Sequence, residues 1–199
     1  MTRRDDILSF WFADLDPEQP IPGDRSQLWF GGSAETDVLI REKFLADVEL
    51  ARKGEYDDWC ASARGTLALI ILLDQFTRNI YRNTPNAFAS DARALSICLA
   101  GIEAGHDRQL SVVERAFFYL PMEHSENIDI QEKSVDSFRQ LIEDAAPAQR
   151  GSCESFYDYA VRHQEIIARF GRFPHRNRIL GRESTPEEVA FLQQPGSSF

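Results

Sequence analysis

The sequence predicts an all-α protein, and two observations support this fold class. Apolar residues recur at intervals of three and four through nearly every segment of the 199-residue chain, which is the period of an amphipathic helix. Alternating apolar and polar segments, and the Asn-Gly or Asp-Gly pairs typical of β-hairpins, do not occur in the sequence. We therefore expect about eight helices in one domain, residues 1–199, with antiparallel neighbours because most connections are short.

Four helices are predicted in the first half of the chain, and residues that cap or break helices bound them. Ser33 or Thr36 can cap the second, and Gly54 stops it. The third is apolar almost all round, which predicts that it lies at the centre of the protein. A segment rich in Pro and Gly, residues 15–26, is predicted to be a loop. The four predicted helices are 5–13, 36–53, 66–81 and 88–103.

Four more helices are predicted in the second half. Ser111 caps the first, and Pro121 is expected to end or kink it. Thr185-Pro186-Glu187-Glu188 reads as a capping box that opens the last one. The tail from about residue 194 to residue 199 is expected to be loose. The four predicted helices are 111–120, 127–145 (or from 129), 155–170 and 185–193.

Charge and composition exclude several functions. The formal net charge of −10 argues against nucleic-acid binding and against binding to an anionic membrane. The longest apolar run, from Leu67 to Leu73, is too short to span a bilayer, which takes about 20 residues. Three widely spaced cysteines form neither a disulfide framework nor a zinc motif. We therefore expect a cytoplasmic protein with no cofactor, and the sequence carries no signal for an oligomeric state.

An arginine- and histidine-rich segment lies between Arg162 and Arg182. Arg162 and Arg169 are seven residues apart and share a helix face, while Gly171 and Pro174 predict a turn after that helix. Guanidinium groups held near a turn suit phosphate or carboxylate binding. The alternative is that these arginines cap helix ends and pair with acids elsewhere. The candidate ligand-binding residues of this segment are Arg162, His163, Arg169, Arg172 and Arg176, with His175 as a catalytic candidate.

His163 has two possible roles. Its spacing from Tyr159, Ile166 and Ile167 places it on the apolar face of the helix predicted over 155–170. It is either a core histidine with its hydrogen bonds satisfied or a general base that lines a pocket. In the same way, Phe10-Trp11-Phe12 and Trp29-Phe30 are interpreted as core residues.

The motif Glu123-His124-Ser125-Glu126 places two carboxylates beside one imidazole. This arrangement could serve acid–base chemistry or hold a metal, but the spacing is not that of a zinc motif, and we assign no metal site. The alternative is a helix start in which Ser125, Glu126 or Asn127 is the cap.

Asp74 falls within the most apolar helix, four residues before Arg78. A buried carboxylate needs a partner, so the two residues are expected to pair on one face. The pair is either a structural ion pair or part of a polar cluster in a pocket.

Several of these stretches together resemble the bacterial family called domain of unknown function 924. The resemblance lies in Ile7-Leu8-Ser9-Phe10-Trp11-Phe12, Asp74-Gln75-Phe76-Thr77-Arg78-Asn79-Ile80-Tyr81-Arg82, Glu123-His124-Ser125-Glu126, Arg169-Phe170-Gly171-Arg172-Phe173-Pro174-His175-Arg176-Asn177 and Leu180-Gly181-Arg182-Glu183-Ser184-Thr185. Thr77 stands where the family pattern has proline. The resemblance implies a tetratricopeptide-like, right-handed array of helical pairs and implies no activity. A Gly54-x-Tyr56 corner agrees with that fold.

Three functions remain open from the sequence. The first is a binding module for a small anion or an acidic or C-terminal peptide, which uses the Arg/His segment with Asp74 and Arg78 nearby. The second is a hydrolase or lyase that acts on a phosphorylated or carboxylated metabolite. Its proton-transfer candidates are His124, His175, Glu123 and Glu126. The third is a structural or interaction protein whose arginines satisfy internal acids. The first two require these residues to converge on one pocket.

Overall fold

The computed structural model describes residues 2–198, and all of the regular secondary structure in that range is helical. The all-α prediction is therefore confirmed, whereas the tetratricopeptide-like pairing stays a prediction. The nine helices are α1 (Arg3–Phe12), α2 (Gly23–Phe30), α3 (Ala34–Lys53), α4 (Ala63–Ile70, Ile71–Phe76 and Thr77–Ile80 in continuous succession), α5 (Asp91–Glu103), α6 (Val112–Glu123), α7 (Ile128–Asp144), α8 (Arg150–Phe170) and α9 (Pro186–Phe191). Short 3₁₀ turns are Asp57–Ala61, Pro85–Ala87, Asp107–Gln109 and Pro174–Arg176.

Helix α2 corrects the prediction of a loop over residues 15–26. Pro22 occupies the position before its first residue, where a missing N–H costs nothing. Two tertiary hydrogen bonds hold the helix on α1: Arg25 Nη1 donates to the Phe10 carbonyl at 3.0 Å, and Trp29 Nε1 donates to the Trp11 carbonyl at 2.9 Å. Such contacts lie outside what local sequence patterns report.

Helix α4 lies at the centre of the protein, as its all-round apolar sequence predicts. Every residue from Leu67 to Thr77 is buried. The middle of the helix, Ile71–Phe76, winds as a π-helix, a rare geometry that is frequent at functional sites. The Thr77 hydroxyl donates to the carbonyl of Leu73 at 2.9 Å, just beyond this stretch.

Helix α6 continues through Pro121 and ends at Glu123, three residues later than predicted. His124 therefore caps its C-terminus. Asn127, one of the proposed caps, begins the next helix by accepting a hydrogen bond from Ile130 N at 3.2 Å. Residues 123 and 124 thus belong to a helix end, not to a helix start.

Helix α7 packs against both α6 and α8, and short connections join it to each of them. Short connections make consecutive packed helices antiparallel, so α6 and α8 point in the same direction. No helix within residues 2–198 is both long enough and apolar enough to cross a membrane.

The end of the described chain folds back onto the protein. Ser197 is buried, and its hydroxyl donates to the Leu192 carbonyl at 3.3 Å. Residue 199, part of the tail predicted to be loose, lies outside the described residues, as does residue 1.

We expect Gly101→Ala to destabilise the fold. A Cβ on Gly101 would lie 2.5 Å from Phe118 Cζ and 3.0 Å from Thr66 Cγ2, and Phe118 is fully buried. Overpacking of this kind costs about 1–3 kcal/mol, which urea denaturation would measure. Gly151→Ala is the matched control, because no atom lies within 4 Å of its added Cβ. Equal stabilities for the two variants would contradict the close packing of α5.

Candidate functional site

A cavity of about 880 Å³ lies between α2, α4, α6, α8 and the turn Pro174–Arg176. This volume is within the range of small-molecule sites. Six of the sequence-predicted site residues line it: Arg78, Glu123, His124, His163, His175 and Arg176. The structure therefore brings together residues from α4, from the end of α6 and from α8 with the turn that follows it.

Asp74 and His124 form a hydrogen-bonded pair behind the cavity wall. Asp74 is fully buried, and its Oδ1 lies 2.7 Å from His124 Nδ1. Gln75 Nε2 donates to the other carboxylate oxygen at 2.6 Å. Burial alone would raise the pKa of Asp74, but the charge on Arg78 and the bond to His124 hold it below its usual range. An ionised Asp74 therefore accepts from Nδ1–H of His124, which leaves Nε2 as the basic nitrogen.

Burial lowers the pKa of His124, and the nearby positive charge of Arg78 lowers it further. The ring is thus neutral near pH 7. A neutral imidazole oriented by a buried carboxylate is the arrangement that a general base requires. This geometry is available at the cavity because His124 also lines it.

Two arginines of the cavity share one carboxylate, that of Asp91 at the start of α5. Arg78 Nη1 lies 3.0 Å from Asp91 Oδ1, and Arg176 Nη1 lies 3.2 Å from Asp91 Oδ2. The predicted pair of Arg78 with Asp74 is also present, at 3.4 Å. Asp91 was missed by the sequence analysis, because an acid in a first helical turn has an ordinary explanation in the helix dipole.

The Arg176 guanidinium is held between two aromatic rings, 4.7 Å from the Phe88 centroid and 4.5 Å from the Phe173 centroid. The residue is only 6% exposed, and its Nε has no hydrogen-bond partner within residues 2–198. Burial and the nearby charge of Arg78 lower its pKa to about 10. It therefore stays charged at neutral pH and keeps one unsatisfied donor, which is a costly state for a buried cation.

Glu123 and His163 form a second carboxyl–imidazole contact, with Oε1 and Nδ1 3.3 Å apart. His163 Nδ1 also lies 2.8 Å from the Tyr159 carbonyl, so this nitrogen carries the proton and donates it. Burial and the negative charge of Asp74 raise the pKa of Glu123 to about 8. Burial, with His124 adding to its effect, lowers the pKa of His163 to about 3. At neutral pH both groups are therefore uncharged.

The His124 and His163 rings lie 6.2 Å apart, which brings the two carboxyl–imidazole contacts to one end of the cavity. His175 lies close by, with its ring 5.6 Å from that of Phe173. Burial lowers its pKa to about 4, and the charge of Arg176 adds to this effect. Within residues 2–198 no group of three His, Cys, Asp or Glu side chains has the arrangement of a metal site.

The other predicted site residues lie outside the cavity lining. Glu126 pairs with Arg182 at 2.7 Å and accepts the backbone N–H of Phe173 at 2.7 Å, so it holds the turn that carries His175 and Arg176. Three arginines also lie outside the lining. Arg169 pairs with Glu187 at 2.8 Å, and Arg172 pairs with Glu188 at 2.7 Å. The Arg162 guanidinium lies 5.4 Å from the centroid of the Tyr159 ring. The Arg/His segment therefore has two roles. Its turn lines the cavity, whereas Arg169 and Arg172 form ion pairs with α9.

We expect Glu123→Gln to stabilise the protein increasingly as the pH rises from about 5 to 8. An unfolded Glu123 ionises near pH 4.5, whereas the folded carboxyl keeps its proton up to a pKa of about 8. The free energy of unfolding of the native chain therefore falls across this window, and glutamine removes that loss. The gain is about 1–3 kcal/mol at pH 8, measured by thermal or urea unfolding at several pH values.

Glu126→Gln is the matched control with the opposite sign. Burial opposes ionisation of Glu126, but hydrogen bonds from Arg182 and from Phe173 N hold its pKa below the usual value. Its stabilisation is present at neutral pH and is lost on acidification. A pH-independent effect of Glu123→Gln would show that this carboxyl is ionised in the folded state.

Comparisons with known proteins place this chain in a family. A sequence model described as "Bacterial protein of unknown function (DUF924)" matches residues 7–196. A solved structure titled "Structure of Protein of Unknown Function ATU0120 from Agrobacterium tumefaciens" is 36% identical, with a TM-score of 0.81 over 96% of both chains. Functionally curated proteins give no match. The predicted resemblance is confirmed, and this chain belongs to the bacterial family DUF924.

Proposed function

We propose that this protein binds a small anion, or an acidic or C-terminal peptide, in the 880 Å³ cavity. Arg78 and Arg176 would hold the anionic group. The observation that carries the proposal is that two charged guanidinium groups, those of Arg78 and Arg176, line the cavity and are both paired with Asp91. Guanidinium groups held in fixed positions suit the binding of a carboxylate or a phosphate. We place this binding in the cytoplasm.

The charges around the cavity support this proposal. The cavity-lining acid Glu123 is uncharged at neutral pH, because burial raises its pKa to about 8. Of the two other acids nearby, Asp74 is bound to His124 and Gln75, and Asp91 is shared between the two arginines. An anion therefore meets fixed donors without a free carboxylate opposite it.

We expect Arg176→Gln to abolish the binding of anions that stabilise the native chain. A panel of carboxylates and phosphates would be screened by thermal shift, since a ligand at 100 times its dissociation constant adds about 2.7 kcal/mol. Any hit would then be titrated by calorimetry. A loss of at least tenfold in affinity is expected, because a buried hydrogen bond to a charged group is removed.

Arg169→Gln is the matched control, because Arg169 is exposed and pairs with Glu187 away from the cavity. Arg176→Lys keeps the charge but not the planar fork, so it is expected to restore affinity only in part. Circular dichroism would establish that the variants fold. Equal affinities for Arg176→Gln and Arg169→Gln would refute the assignment of Arg176.

A second candidate function is favoured by the 2.7 Å contact of Asp74 with His124. In a hydrolase or lyase, His124 would act as the general base and the protonated Glu123 as the general acid, with the substrate anion held by the arginines. The substrate would be a phosphorylated or carboxylated metabolite.

We expect turnover, if this second function holds, to depend on His124 more than ligand binding does. Each ligand found above would be incubated with the protein and followed by NMR. His124→Gln should then keep the affinity within a few-fold and slow the conversion by about 10²-fold or more. Ligands that bind tightly but are not converted over hours would contradict the enzymatic function and support binding only.

A further inference from the structure

The cavity has two chemically different ends. Helices α6 and α8 point in the same direction, and both present rings to the cavity first and titratable groups later. On α6 the order is Phe117 and then His124, and on α8 it is Phe156 and then His163. The two phenylalanines lie at one end of the cavity, where Phe117 and Phe156 both contact the Phe30 ring. The two histidines lie at the other end, with their rings 6.2 Å apart. The cavity therefore grades from apolar to polar along the helix axes.

The apolar end is built of packed aromatic rings. Trp29 lies 4.7 Å from Phe117, and Phe30 lies 6.2 Å from Phe117 and 6.1 Å from Phe156, between ring centroids. Phe30 is 58% exposed, an unusual state for a ring that also faces a cavity. Ala116, almost fully buried, lines the same end. Ser26, Ser152 and Ser155 add hydroxyl groups to the lining near these rings, but no charged side chain on α2 or at the start of α6 and α8 lines the cavity within residues 2–198.

The polar end has a net charge of one positive unit. Arg78 and Arg176 are balanced by Asp74 and Asp91, and Arg82 is balanced by Asp37, while the exposed Arg178 also lines the cavity and makes no ion pair within residues 2–198. Glu123 and the three histidines of the lining are neutral near pH 7, because burial raises the pKa of Glu123 and lowers the pKa values of His124, His163 and His175. One excess positive charge matches a monoanion better than a doubly charged phosphate.

We infer that the ligand is an amphipathic monocarboxylate, with its carboxylate at Arg78 and Arg176 and an apolar chain that runs to Phe117 and Phe156. The inference rests on the proposed anion site and adds the chemical class of the ligand. The seven residues from Phe117 to His124 span about 10 Å of helix, which an acyl chain of roughly eight carbons would match. The 880 Å³ cavity is also far larger than an inorganic anion needs.

The test is a calorimetric titration of the full chain with straight-chain carboxylates from acetate to decanoate, below micelle-forming concentrations. Affinity should rise about fourfold per methylene and level off near eight carbons. Octanol should bind at least tenfold more weakly than octanoate, because it lacks the charge that the arginines meet. Binding of octanol as tight as that of octanoate would overturn the carboxylate assignment.

Two variants probe the apolar end separately from the arginines. Ala116→Met should shorten the best chain by about two carbons, so that octanoate and decanoate lose more affinity than acetate does. Phe30→Ser should reduce the gain in affinity per methylene, and it should disturb folding little because the ring is exposed. Val38→Ser on α3 is its control, because Val38 is similarly exposed but lies outside the cavity lining. Acetate binding that depends on Arg176 but shows no effect of chain length would overturn this inference and leave the anion site intact. No binding of any carboxylate to the native chain would reject this inference, and the anion site itself would be rejected if the phosphates of the thermal-shift panel also failed to bind.

Discussion

The structure depends on keeping the carboxylate of Asp74 ionised in the interior of the protein. An isolated buried charge is very costly, so each oxygen of Asp74 must have a partner. Gln75, His124 and Arg78 supply those partners. Because the loss of a partner would leave this charge uncompensated, the Asp74 side chain ties α4 to His124 at the end of α6.

Ion pairs farther out position the same cluster from the opposite side. Glu126 accepts Phe173 N and pairs with Arg182, and Glu188 binds Arg172, so the turn that carries Arg176 is fixed at both ends. These contacts explain why an arginine-rich segment in an acidic chain has two roles. Arg172 and Arg182 build the support, and Arg176 is the group that the support presents. Rigid supporting contacts of this kind hold a binding residue in one rotamer.

Much of the fold follows from local sequence, whereas less of the site does. Ser33, Ser111 and Thr185 cap helices as their positions predict, because capping is a contact within one turn. Helix α2 was missed because its anchors lie on α1. The pairing of Asp74 with Arg78 follows from a spacing of four residues. The pairing of Arg176 with Asp91 spans 85 residues, so no local pattern could report it. The convergence on one cavity is likewise a product of helix packing.

The π-helical stretch Ile71–Phe76 adds one residue to α4 beside this site. A π-turn holds one more residue than an α-turn, so it is equivalent to a single-residue insertion in an ordinary helix. Loss of one residue there would let α4 close into a regular helix and would leave the residues beyond it at nearly the same angle, because six residues of π-helix turn through about as much as five residues of α-helix, roughly 500°. The extra residue is thus accommodated within the stretch that carries Asp74 and Gln75, and the orientation of Arg78 beyond it does not depend on that residue.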